Sequence, residues 1–291
     1  MKIKKIILLG SAIFAMTFIG CQKDDVNDLQ VEKTEEQSFA DNNALYADPE
    51  LIPDEFVDVK LPNDGKWGYT PHRDMMYAAA IKCGLSYQRA DKMKEWAAYP
   101  DQIDGEANIP IISTTWKHGY MYKYYVHYYG IADAMCKNNI SGSGYNGKSA
   151  FYYYPGNKDM GDKYVGYAGH YMIDMGNSWH TWGLISQTDH YRYETWFANN
   201  WTSGHKFYQY ILNNGSGYYS VTDPAAATRS VAWNSMLSAQ SIYNAWLLSG
   251  RPTGAGTGNS TLISKTKANV LRSFLYLKGL VYYTLNHENA W

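Results

Sequence analysis

The sequence predicts an all-α protein behind an amino-terminal export segment and a polar tether. Three observations carry that prediction. Apolar residues recur at three- and four-residue spacing over most of the chain beyond residue 65. Clusters of Gly, Asn, Ser and Pro interrupt these stretches as helix connections do. No apolar/polar alternation runs long enough to argue for a strand, and there is no internal repeat.

Taken in chain order, Lys2, Lys4 and Lys5 precede an apolar run over 6–19, the charged and apolar parts of an export signal. That run is short for a bilayer-spanning helix. Gly20-Cys21 at its end resembles a bacterial lipobox, which implies cleavage before Cys21 and acylation of its thiol. The bland alternative is a plain signal peptide with an incidental cysteine. Gln22-Lys23-Asp24-Asp25 resembles the export tag of some Gram-negative surface lipoproteins. The expectation is an outer-membrane lipoprotein of the cell envelope, exposed at the surface and held to the membrane through lipidated Cys21. Residues 22–64 hold 13 Asp plus Glu against 3 Lys, with few aromatics, and read as an acidic, disordered tether. The remaining 65–291, with 20 Lys plus Arg against 14 Asp plus Glu, is long enough to bury one substantial core. Its mildly basic balance suits an anionic substrate.

Within 65–291 the first predicted helix covers 74–96, interrupted at Gly84 and ended by Tyr99-Pro100, because a residue before proline leaves the helical region. A tyrosine-rich helix follows over 115–136, then a Gly/Ser/Asn loop over 141–157. Further helices are predicted over 162–175 and 188–212, with a turn over 213–219. Asp223-Pro224 opens a helix to residue 248, proline being well suited to a first helical position. A loop over 250–260 and a last helix over 261–285 complete the domain. Cys83 and Cys136 lack CxxC spacing, so any metal must be held by nitrogen and oxygen; the two thiols either pair or serve as small buried hydrophobes.

The segment richest in chemistry is Gly169-His170-Tyr171-Met172-Ile173-Asp174-Met175-Gly176-Asn177-Ser178-Trp179-His180. His170 and Asp174 are four residues apart and project from one helix face. Gly176-Asn177 should end that helix, and Ser178 can cap a following turn. A straight helix would rotate His180 away from Asp174, whereas a broken one can bring it back. His190 and Glu194 form a second pair at the same spacing. Imidazole and carboxylate together suit zinc better than magnesium or calcium. Taken singly, each of these residues is better explained as a polar group on a helix surface or a cap. Two such pairs flanking His180 favour a metal site.

His170-x3-Asp174-x5-His180 followed by His190-x3-Glu194 resembles the zinc-dependent phospholipase C and S1/P1 nuclease superfamily. Trp67-Gly68-x3-His72 is similar to the mature amino terminus of the P1-type nucleases. Ala97-Ala98-Tyr99-Pro100-Asp101 resembles the segment carrying their aspartate ligand, and Trp116-Lys117-His118 stands where the next histidine is expected. Ala239-Gln240-Ser241, in the helix ending Trp246-Leu247-Leu248, resembles the last core helix of the superfamily. The match covers roughly 67–250.

The resemblance implies a phospholipase C/P1 nuclease-like helical domain with two or three zinc ions in one cleft. Asp101, His118, His170 and Asp174 would hold one ion, with Asp174 bridging to another. His180, His190 and Glu194 would hold a second. His72 and Asp174, with the amino and carbonyl groups of Trp67, would hold a third. The implied activity is hydrolysis of phosphoester bonds by metal-activated water, with Asp101 doubling as general base. Asp104 rivals Asp101 for its position.

Two departures stand beside the resemblance. Trp67 lies 46 residues past Cys21, so it has a free amine only if the Lys66-Trp67 bond is cut; otherwise the centre holds two ions. Gln102 stands where choline-preferring phospholipases tend to carry an aromatic. Glu194 at the last ligand position leans toward the phospholipases, and Trp67-Gly68 toward single-strand nucleases or nucleotidases. The expected partners are therefore a phospholipid or other phosphodiester, or nucleic acid as substrate; no motif indicates a protein partner. A third possibility is a non-catalytic surface lipoprotein that binds a ligand through its aromatics.

Other features read as structural. His127, nine residues past His118, is either a substitute ligand or, the favoured reading, a polar helix-face histidine; His205 and His287 have no partner at ligand spacing, and most of the 28 tyrosines suit helix packing. Gly215-Ser216-Gly217 is a turn, with no preceding strand to make it a phosphate loop.

Overall fold

A computed structural model describes residues 69–101, 129–137, 149–182 and 186–288, which belong to one compact unit, Asn43–Trp291. The predicted leader, tether, Cys21, Trp67, Asp104, His118 and His127 lie outside the described residues. Those described contain helices and no strand, as an all-α chain should. None of these helices is long and apolar enough to cross a membrane.

The helices are α1 (Tyr69–Lys82), α2 (Tyr87–Ala98), α3 (Tyr129–Lys137), α4 (Ala150–Tyr153), α5 (Lys158–Asp174), α6 (Ser178–Trp182), α7 (Gln187–Asn199), α8 (Phe207–Asn214), α9 (Pro224–Leu248) and α10 (Ser260–Glu288). Helix α5 is the centre, packed against α1, α2, α3, α4 and α10. Every residue from Val165 to Asp174 is buried, so this half of the helix has no solvent face. Small residues make that possible. A Cβ on Gly166 would lie 2.7 Å from the Met93 carbonyl oxygen of α2, and one on Gly169 would lie 2.7 Å from Met76 Sδ of α1. The two glycines let α1 and α2 approach the backbone of α5, and both neighbours deliver groups to the site.

The helix boundaries follow local chemistry. Gly84, at φ +86°, breaks the first predicted helix into α1 and α2, and the Ser86 hydroxyl caps α2 by accepting the Arg89 N–H. The helix starts earlier than predicted, at Tyr69. Asp223 caps α9 by accepting the Ala225 N–H, with Pro224 in the first turn as expected. The last helix runs on to Glu288.

Two expectations are corrected. The single helix predicted over 188–212 is two helices, because the chain turns around the buried Asn200. Its Nδ2 donates to the Trp196 carbonyl (2.8 Å), and its Oδ1 accepts the N–H groups of His205 (3.2 Å) and Gly256 (2.7 Å). Lys206 at φ 52° completes the reversal. The loop predicted over 141–157 contains α4, capped by Ser149 and fastened by Phe151, whose ring stacks 3.6 Å from that of His287.

The thiols of Cys83 and Cys136 are free, so the small-hydrophobe reading holds. Burial pushes the Cys83 thiol up to about 12 and raises Cys136 as well, which keeps both protonated and unreactive. The turn at Gly215-Ser216-Gly217 is held by Lys278, whose Nζ donates to the Gly215 (2.9 Å), Ser216 (3.1 Å) and Gly217 carbonyls.

Candidate metal centre

Of the six histidines among the described residues, four meet around Asp174 and Glu194. They arrive on four helices. His72 comes from α1, one turn before the Met76 that packs on Gly169. His170 and Asp174 end α5, His180 lies on α6, and His190 and Glu194 share one face of α7. Helix α7 is started by Ser186, whose hydroxyl accepts the Asp189 N–H.

Asp174 faces two imidazoles with different oxygens. Its Oδ1 is 3.0 Å from His72 Nε2, and its Oδ2 is 3.3 Å from His170 Nε2. The two rings stack at 4.2 Å between centroids. His170 Nδ1 lies 2.7 Å from the Ala97 carbonyl oxygen. A carbonyl only accepts, so Nδ1 carries the hydrogen, which is the usual way a protein fixes a metal-binding imidazole. In the neutral ring, Nε2 then turns its lone pair toward a carboxylate oxygen. Two lone pairs at that distance repel unless a proton or a metal cation lies between them.

The second group centres on Glu194. Its Oε1 is 2.9 Å from His180 Nε2, 2.9 Å from His190 Nε2 and 3.1 Å from Asn177 Nδ2. Burial works to raise the Glu194 carboxyl, but the charge of His190 and the bonds from both histidines outweigh it and bring it down to about 2. Burial likewise works to lower His190, and the Glu194 carboxylate overcomes it, so His190 is raised. The other nitrogen of His180, Nδ1, is buried without a hydrogen bond, 3.7 Å from Asp174 Oδ1. His180 therefore joins the two groups.

His72, His170 and Asp174 form one set that could hold a metal ion, and His180, His190 and Glu194 form another; ligand atoms within each set lie within 4.8 Å of one another. The donors are imidazole nitrogen and carboxylate oxygen; the first set is buried, His180 and His190 are partly exposed, and the Ala97 carbonyl behind His170 fixes the orientation of that ring.

Six of the residues singled out from the sequence are thus brought together. Asp101 ends the 3-10 turn Tyr99–Asp101, four residues after the Ala97 carbonyl that holds His170, and only its backbone is described. His118 and Trp67 fall outside the described residues. His205 and His287 stay apart from the site: His205 Nε2 bonds the Thr257 carbonyl oxygen at 2.8 Å, and His287 stacks on Phe151. Spacing did not identify the Ala97 carbonyl or the Asn177 amide as contributors. The Ala97 group is backbone and leaves no mark in sequence. Asn177 reads from the sequence as a helix terminator and as an asparagine before His180 that fits the superfamily resemblance, with no bond to Glu194 implied. Comparison with protein-family models, with curated proteins and with solved structures finds no match.

Proposed function

We propose that this chain is a zinc-dependent phosphoric ester hydrolase, phospholipase C-like in fold and chemistry, acting outside the cell. The observation that carries the reading is the convergence of His72, His170 and Asp174 with His180, His190 and Glu194, linked through His180 and Asp174. The motif order that resembles the phospholipase C and S1/P1 nuclease superfamily supports it, as does the convergence of the six residues from four helices. When bound, zinc lowers the pKa of a coordinated water to roughly 7 and stabilises charge on phosphoryl oxygens.

The chain's own part is to orient the ligands. Ala97 sets the His170 ring, Asp174 offers one oxygen toward each of two imidazoles, and Glu194 joins α6 to α7. Asp101 is the proposed general base, and His118 the proposed further ligand. A third ion at His72, Asp174 and Trp67 needs a free Trp67 amine, and the proposed lipid anchor at Cys21 needs the uncut chain. We therefore favour a two-ion centre in the anchored protein.

The second reading, a single-strand nuclease or nucleotidase, is favoured by Trp67-Gly68-x3-His72. Hydrolysis of phosphatidylcholine vesicles and of single-stranded DNA, measured side by side with and without chelator, separates the two. The phospholipase reading expects chelator-sensitive release of the phosphorylated headgroup, lost in Asp174→Ala and His180→Ala. Chelator-sensitive cleavage of DNA alone would favour the nuclease. Zinc-free protein active on neither substrate would leave a ligand-binding lipoprotein.

A further inference from the structure

We infer that Asn177 is a positioning residue of this centre, one that orients Glu194 and keeps the two ligand groups in register. The inference rests on the metal-centre reading above and adds a residue that ligand spacing does not reveal.

Asn177 is fully buried and sits between α5 and α6. Four of its groups are engaged, three of them with residues of the ligand sets. Its backbone N–H donates to the Asp174 carbonyl (2.9 Å), and its own carbonyl accepts the His180 N–H (3.0 Å). Its side-chain Oδ1 accepts the Trp179 N–H (3.0 Å), capping α6. Its Nδ2 donates to Glu194 Oε1 (3.1 Å), 17 residues away on α7. One residue thus touches ligands at the end of α5, on α6 and on α7.

The side-chain bonds do different things. The Oδ1 cap stabilises α6, a five-residue helix that would not persist alone. The Nδ2 bond does nothing for α6 and acts on Glu194. An amide nitrogen has no lone pair to offer a cation, so Asn177 Nδ2 competes with no ligand. It holds the carboxylate at a fixed rotation while His180 and His190 remain the groups that can bind. Losing a hydrogen bond of this kind, behind a metal ligand, typically weakens metal affinity about 10- to 100-fold.

Two substitutions separate the roles. Asn177→Ser keeps a good capping oxygen and removes the amide that reaches Glu194. Asn177→Ala removes both. The experiment titrates zinc into the chelator-treated full chain against a chromophoric competitor, with the thermal midpoint of the metal-free protein measured in parallel. Wild type is expected to take up two ions. In Asn177→Ser one ion should bind about 10- to 100-fold more weakly and the other within about threefold of wild type, with the metal-free midpoint lowered less than in Asn177→Ala. Asn177→Ala should show the same loss and a lowered midpoint. If Asn177→Ser binds both ions as wild type does, Asn177 is a helix cap and nothing more. If it loses both ions together with its midpoint, the role is structural, and the inference again fails. Wild type that binds no zinc overturns the metal-centre reading itself, and this inference with it.

Discussion

Helix α5 buries a carboxylate near each end, and the two are served by different chemistry. At the start, Asp162 receives a fork from Arg89, with Nε at 2.8 Å and Nη2 at 2.6 Å, and a hydrogen bond from the Tyr154 hydroxyl at 3.1 Å. Arg89 also donates to Glu288 at the end of α10 (2.9 Å), which pairs with Lys158 as well (2.7 Å). Two carboxylates there meet two permanent cations. At the other end, Asp174 and Glu194 meet four imidazoles, whose charge depends on pH. The first cluster is neutral as built and ties α2, α5 and α10 together. In the second, the tautomer that Ala97 fixes in His170 leaves Asp174 Oδ2 facing a ring lone pair whenever that imidazole is neutral. A bound cation could complete that arrangement, and this separates a structural ion cluster from a candidate metal set on the same helix.

The contrast can be broken from either end. The larger effect is expected at the structural end. Asp162→Asn leaves Arg89 without its forked partner and should lower stability by roughly 3 kcal/mol, toward the low end for a broken buried pair, since Arg89 is partly exposed. The 12-residue step from Asp162 to Asp174 puts the clusters about 18 Å apart along the helix. The loss should therefore be the same with and without chelator, read as the shift in urea midpoint. A loss that appears only in metal-loaded protein would mean the two ends are not independent.

The smaller effect is in pH. Burial works to raise Glu288, but its bonds to Lys158 and Arg89 outweigh it and hold the carboxyl below its ordinary value. A depressed carboxyl contributes stability that is present above its unfolded value of about 4.3 and is lost as pH falls through the folded one. The structural cluster should therefore weaken on acidification below about pH 4.3. Zinc binding has the same sign over a higher range, because imidazole must lose its proton to ligate. The thermal shift produced by zinc should go on growing as pH rises past about 6.5, because Glu194 raises His190 above that ordinary value. Thermal midpoints with and without zinc, from about pH 4 to about pH 8, read both trends. A zinc shift that is flat across that range would argue against imidazole ligation.

Part of this was legible in the sequence. His170 with Asp174 and His190 with Glu194 could be read directly, because helical periodicity alone puts residues four apart on one face. The return of His180 to Asp174 followed from Gly176-Asn177 breaking the helix. His72 entered only through the family resemblance, since nothing local says that α1 will lie across Gly169. What stayed hidden depends on distant partners. Arg89 meets Asp162 across 73 residues and Glu288 across 199. The division of the 188–212 segment depends on the Asn200 amide, which binds Gly256 across 56 residues. Asn177 was visible as a helix terminator, but its bond to Glu194 required α7 to be in place.

The most direct test of the metal centre is the zinc content of the purified chain. Protein stripped with chelator, dialysed against zinc at neutral pH and freed of excess should retain two ions per chain by elemental analysis, and Asp174→Ala should retain fewer. Stripped protein that takes up no zinc, at a concentration where it is folded by circular dichroism, would contradict the assignment of His72, His170, Asp174, His180, His190 and Glu194 as ligands.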